Sequence, residues 1–237
     1  MRQALLLLAD SRLPAGAHAH SGGVAPAVDA GLIGGNGSDL AEVVAFLRGR
    51  LHTAGLLTAA IAARACHLAA TDDRGTGVPA QAGLTRDAWA ALDAEVDART
   101  PSPEQRKTSR AQGRALLRVA RHAFPHPEYA ALGTRPHHPI ALGVAVHAAA
   151  GTPAEAAAVA VAGAISGPAS AAVRLLGLDP LALTAAHAAL ATTADAVVAE
   201  ATRYADRPSD ALPAPSAPLL DLLAQAHARS EVRLFAS

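Results

Sequence analysis

At three predicted helix starts in this 237-residue chain a residue that caps helices stands directly before proline: Ser102-Pro103, Thr152-Pro153 and Asp179-Pro180. A cap side chain accepts one of the N–H groups that a helix start leaves unpaired, and proline at the next position loses no hydrogen bond and brings a helical φ. Gln105 and Glu155 stand three residues after their caps, where a side chain reaches back to the cap. His138-Pro139 opens a shorter pattern in the same way. A chain punctuated like this folds helix by helix, and no pair of runs carries hairpin chemistry. Composition agrees. Hydrophobic residues make up 51% of the chain but aromatics only 3%, and alanine is the commonest residue, which favours helices over strands. The expected class is all-α.

Asp39 and Glu42 resemble a capping pair before the long run EVVAFLRGRLHTAGLLTAAIAARACHLAA, which Gly49 and Gly55 divide. Further helices are predicted over 85–99, from Ser102 to about Ala123, after Thr152, and from Asp179 to about Arg203. Ser216 caps a last one containing Leu219, Leu220, Leu222 and Leu223. Breaks fall at 10–23, 71–83, 124–137, 166–168 and 208–218, none long enough to link separate domains. The expectation is one domain over 1–237, a bundle of about eight to ten helices. Within it, 208–218 serves as a proline-rich hinge and 219–237 as a C-terminal partner-docking helix and tail.

Twenty basic and twenty acidic residues cancel, so no global field draws the chain to nucleic acid or membrane. Lys107 is the sole lysine and no glycine-rich phosphate loop precedes it, which excludes nucleotide hydrolysis by that route. A single cysteine, Cys66, excludes an internal disulfide and reads as a small buried hydrophobe. The apolar run 4–9 is shorter than the ~7–15 residues of an export core. The uncharged stretch 156–173 reaches the ~18 residues of a membrane span. It consists mainly of Ala, Gly and Ser with Pro168 inside, and reads as a buried or interfacial helix kinked near Ser166–Pro168. A cytoplasmic protein is expected.

Asp10, Ser11, His18 and His20 lie in the loop ADSRLPAGAHAHSGG, whose glycines favour a structural turn. A small hydrolase using Asp10, Ser11 and His20 is an alternative. Eleven histidines invite a metal-binding reading, but they are scattered without ligand spacing, so no metal or other cofactor is assigned. On the helix after Ser102, Lys107, Arg110, Arg114, Arg118 and Arg121 share an ~80° arc beside a small apolar face of Ser109, Gly113, Leu116, Leu117 and Ala120. The arc reads as solvated or as a docking stripe for an acidic protein. Arg106, at its boundary, needs a carboxylate or carbonyl partner. Gly163 and Gly167 permit a close helix crossing, internal or between two copies. Leu234 and Phe235 put apolar side chains at the very end.

These blocks together resemble the urease accessory protein family UreF. LLLLADSRLPAGAHAHSGGVAP follows the family's opening through Leu5, Leu8, Asp10, Ser11, Leu13, Pro14, Gly16, His20, Ser21 and Gly23. Glu104, Arg106, Ser109, Gly113, Leu116, Leu117 and Arg118 match its middle block. His138, Pro139, Gly143, Ser170 and Arg174 match the next segments, and His227, Arg233, Leu234, Phe235 and Ser237 its terminus. Ala25 and Ala228 stand where the family carries Glu, and 177–180 departs after Arg174. The resemblance implies an all-helical, homodimeric, non-enzymatic chaperone. It would bind UreH/UreD and recruit the GTPase UreG for nickel insertion into apo-urease, with nickel passing only in transit. The implied partner-binding candidates are Arg106, Ser109, Arg110, Arg174, His227, Arg233, Leu234 and Phe235.

Overall fold

The computed structural model describes residues 3–10, 12–15, 20–34, 39–72 and 79–229; the side chains of 72 and 79–85 lie outside the description. Its α-helices are α1 (Gln3–Ala9), α2 (Val24–Asp29), α3 (Asp39–Arg50), α4 (Leu56–Asp72), α5 (Pro79–Ala98), α6 (Pro103–Ala123), α7 (His138–Ala148), α8 (Pro153–Leu176), α9 (Pro180–Ala189), α10 (Ala191–Thr202) and α11 (Pro218–Ala228). A π turn, Leu51–Gly55, joins α3 and α4 into one continuous rod. The described residues thus form ten helices and no strand, the all-α bundle expected.

Cap chemistry places the boundaries. Ser102 Oγ accepts from Gln105 N–H at 3.4 Å, and Thr152 and Glu155 form a reciprocal capping box. The Asp179 carboxylate accepts from Leu181 N–H at 2.9 Å. Several expectations need correction. Asp39 is already helical and Glu42 instead accepts the Gly34 N–H, at 2.9 Å, because the preceding turn brings that unpaired donor within reach. The glycine-flanked break after Arg50 is a wider turn, not an interruption. The helix after Asp179 bends by 48° where α9 meets α10. The cap of α11 is Ala217, because Pro218 rather than Ala217 takes the first helical position.

The centre is built from α4, flanked by α7, α8 and α10. Ala59, Ala60, Ala62, Ala63, Ala65, Cys66 and Ala69 of α4 are all buried. Side chains this small let helix backbones touch. A Cβ on Gly143 of α7 would lie 2.3 Å from the Ala62 carbonyl oxygen and 2.8 Å from the Cys66 nitrogen. Cys66 is the inert buried thiol expected, its pKa pushed up to about 12 by burial. The rod 39–71 and α8 are long and apolar enough to cross a membrane, yet 61% of the relevant stretch of each is buried against the rest of the fold. Pro168 sits within α8 without ending it, so the break expected at 166–168 is corrected to continuous helix. Gly163 and Gly167 face open space, so among the described residues they make no internal crossing.

The 208–218 segment carries a short 3₁₀ turn, Ser209–Ala211, and is anchored in its first half. Arg99 donates to the carbonyls of Asp210 (2.8 Å) and Leu212 (3.1 Å), and the Leu212 side chain is buried. α11 packs against α2 and α6. Its Leu223, Ala224 and His227 face inward, while Leu219 and Leu222 remain 55% and 67% exposed.

Candidate functional site

The densest polar network among these residues lies where α5, α6 and the turn into α7 meet. Its backbone contact explains why they meet so closely. A Cβ on Gly113 would sit 2.1 Å from the Pro136 carbonyl oxygen and 2.8 Å from the His137 carbonyl carbon, so α6 lies directly against the turn. This presses Ser109, one helical turn earlier, onto the two histidines. The His138 N–H donates to Ser109 Oγ at 3.3 Å, and Ser109 Oγ lies 3.0 Å from His137 Nδ1. His137 Nε2 lies 2.9 Å from Asp97 Oδ1. A carboxylate only accepts, so Nε2 carries the proton and Nδ1 accepts from the Ser109 hydroxyl.

Arg110 closes the network. One guanidinium nitrogen donates to Asp93 and Asp97, each at 2.7 Å, and the other to Asp93 (3.1 Å) and the Arg135 carbonyl (3.0 Å). Arg106 donates to the Thr100 and Pro101 carbonyls at 2.6 and 3.0 Å, as its position demanded, and its Nε lies 3.8 Å from Asp97. Burial would raise the Asp97 pKa, but hydrogen bonds from Arg110 and His137 bring it below the ordinary value. Burial pushes His137 down, and the Arg110 charge adds to this against the pull of Asp97. The imidazole is therefore held neutral, consistent with its role as donor to the carboxylate.

The network joins a serine, a histidine and an aspartate in sequence, yet it is built as a strap. His137 is completely buried, and Ser109 Oγ is engaged by His137 on one side and the His138 N–H on the other. Asp93, Asp97 and His137 form a group of three side chains whose ligand atoms lie within 4.8 Å of one another. Both carboxylates already bind Arg110, whose charge occupies the place of a cation.

The candidate residues separate into distinct places. Arg106, Ser109 and Arg110 belong to the strap. Arg110 therefore leaves the solvated arc to which helical periodicity assigned it, because α5 supplies two carboxylates there, while Lys107, Arg114 and Arg118 remain exposed. Arg174 lies on the outer face of α8 and donates to the Ser170 carbonyl at 3.3 Å. His227 is buried between α11 and α2, with Nδ1 3.3 Å from the Asp29 carboxylate. Arg233, Leu234, Phe235, Ser11 and His18 lie outside the described residues. Asp10, one of the three residues of the alternative hydrolase reading, is bound by Arg12 at 2.7 Å, which draws its pKa down to about 2. Sequence reading missed Asp93 and Asp97 as partners of Arg110. Their i,i+4 spacing on the predicted 85–99 helix was the available signal.

Comparison with known proteins bears on the family of the chain. The UreF family model matches residues 38–191, which include the whole strap. A urease accessory protein UreF of Mycolicibacterium vanbaalenii is 46% identical over 98% of this chain and 97% of its own length. Those of Mycobacterium sp. strain JLS and Mycobacterium marinum are 47% and 42% identical with the same coverage. With a family match over most of the chain and relatives that align nearly end to end, the chain belongs to the UreF family of urease accessory proteins, which are non-catalytic chaperones.

Proposed function

We propose that this chain is a cytoplasmic scaffold for nickel insertion into apo-urease, which binds UreH/UreD and brings the GTPase UreG to it. The observation that carries this reading is similarity to urease accessory proteins at 46% and 47% identity over nearly the whole length of both chains. The exposed Leu219 and Leu222 of α11 offer apolar contacts to UreH/UreD, and the family-matching Arg233, Leu234 and Phe235 are candidates for the same contact. Arg174 and the open Gly163–Gly167 face of α8 suit a second copy of the chain, and a homodimer would present two sets of these surfaces. Nickel is cargo in this scheme. The strap holds α5, α6 and α7 in register so that the outer surfaces keep their shape, and bond-making is left to UreG and urease.

The test is co-purification with UreH/UreD and UreG, together with the metal content of urease from a strain lacking this chain. Urease that accumulates without nickel is expected; fully loaded, active urease overturns the reading. Truncation after Ala217 should weaken the pull-down of UreH/UreD, and an undiminished pull-down removes the docking role of α11 and the tail.

A further inference from the structure

Beside the strap, a cleft of about 260 Å³ opens between α5, α6 and the turn before α7. Trp89, Leu132 and Ile140 give it apolar walls, and Arg86, Arg110 and Arg135 face it against one carboxylate, Asp93. These charges are not equivalent. Arg110 is spent on Asp93 and Asp97. Arg86 and Arg135 are exposed, and among the described residues neither guanidinium has a hydrogen-bond or ion-pair partner. Only the backbone carbonyl of Arg135 is used, by Arg110. The Trp89 indole N–H already donates to the buried Glu128 at 2.8 Å, so its ring offers the cleft an apolar surface. Two cations thus stand free at a recess whose interior is apolar.

We propose that this cleft binds a glutamate or aspartate carboxylate carried on a short apolar segment of a protein partner, with Arg86 and Arg135 as the carboxylate-binding pair. Guanidinium forks match a planar carboxylate, and the apolar walls accept the methylenes and an adjoining aliphatic side chain. The volume lies below the roughly 300–1,000 Å³ of pockets that enclose a whole small molecule, so the occupant is part of a larger one. A singly charged group also suits the site better than a phosphate dianion, because Asp93 lines the same recess. Among the described residues, this surface is separate from α11 and from the outer face of α8.

Trp89 is the sole tryptophan of the chain, so its emission reports on the cleft directly. The intact protein is titrated with an acetylated, amidated peptide carrying two glutamates between leucines, and with its glutamine counterpart. Calorimetry runs alongside, and sodium acetate and inorganic phosphate serve as free-anion controls. The glutamate peptide should bind saturably and weaken as salt rises. The glutamine peptide, and the glutamate peptide on Arg86→Gln/Arg135→Gln, should bind at least tenfold more weakly. Since neither guanidinium makes a hydrogen bond or ion pair among the described residues, the double variant should melt with the native protein; if it does not, the two peptides on the native chain decide alone. Equal binding of the two peptides, no saturable binding up to about millimolar concentration, or acetate or phosphate binding as tightly as the peptide would each overturn the proposal. None of these outcomes depends on whether the chain serves urease maturation.

Discussion

The alanine-lined centre and the polar strap are both places where helix backbones touch, but different forces hold them. At the centre, α4 meets α7 through Gly143 and a row of alanines, and the contact is dispersion and excluded water. At the strap, α6 meets the α7 turn through Gly113, and the contact is finished by Arg110, Asp97, His137 and Ser109. The first is intolerant of added volume and indifferent to charge. The second is intolerant of both, so close approach of backbones alone does not set how a helix contact responds to its surroundings.

The largest expected effect is on added volume. Gly143→Val should destabilise the chain by about 3 kcal/mol or more, since the colliding atoms at Ala62 and Cys66 are backbone and cannot turn aside. Urea denaturation checks this, and a loss below about 1 kcal/mol would mean that α4 and α7 can separate cheaply. Next comes charge. Arg110→Ala should cost about 1–3 kcal/mol by leaving Asp93 and Asp97 facing each other, a range reduced from that of a buried pair because both acids are partly exposed. A change of similar chemistry on the exposed part of α6, Arg114→Ala, should stay within about 0.5 kcal/mol.

Acid should act mainly on the strap and its neighbours. Burial, reinforced by the His20 charge, pushes His138 down to about 4, and His137 is also lowered. Below the ordinary histidine value of about 6.5 the unfolded chain takes up these protons first, so stability is fully present above that pH and declines as pH falls. The His138 contribution lost by pH 4.5 is about 2–3 kcal/mol. Asp97, lowered as well, adds its loss only below its unfolded value near 3.8. Denaturation between pH 7.5 and 4.5 measures the slope, and His138→Gln should flatten it; an unchanged slope would assign the acid sensitivity elsewhere. The smallest effect separates two arginines of one helix. Arg106→Ala should cost about 1 kcal/mol more than Arg114→Ala because it abandons the Thr100 and Pro101 carbonyls, and equal melting temperatures would break the distinction.

Ser102, Thr152 and Asp179 were legible as helix starts because a cap acts within a few residues, and the same locality made α6 the clearest helix before any tertiary contact was known. The family, too, was readable, since its blocks recur in order along the whole chain. Helical periodicity could say only that Arg110 lies on one side of α6. Whether that side faces water or two aspartates depends on where α5 comes to rest, 13 to 17 residues away along the chain. His137 was one histidine among eleven until Gly113 let its backbone meet α6.

Local chemistry therefore determined the all-helical class, the helix starts and the family, because caps, prolines and periodic apolar faces act over distances of one or two turns. Among the described residues, tertiary structure alone decided which cations are neutralised and which stand free: Arg110 inside the strap, Arg86 and Arg135 at the cleft. Electrostatic and hydrogen-bond partners come from whichever element packs alongside, and sequence separation carries no record of that neighbour.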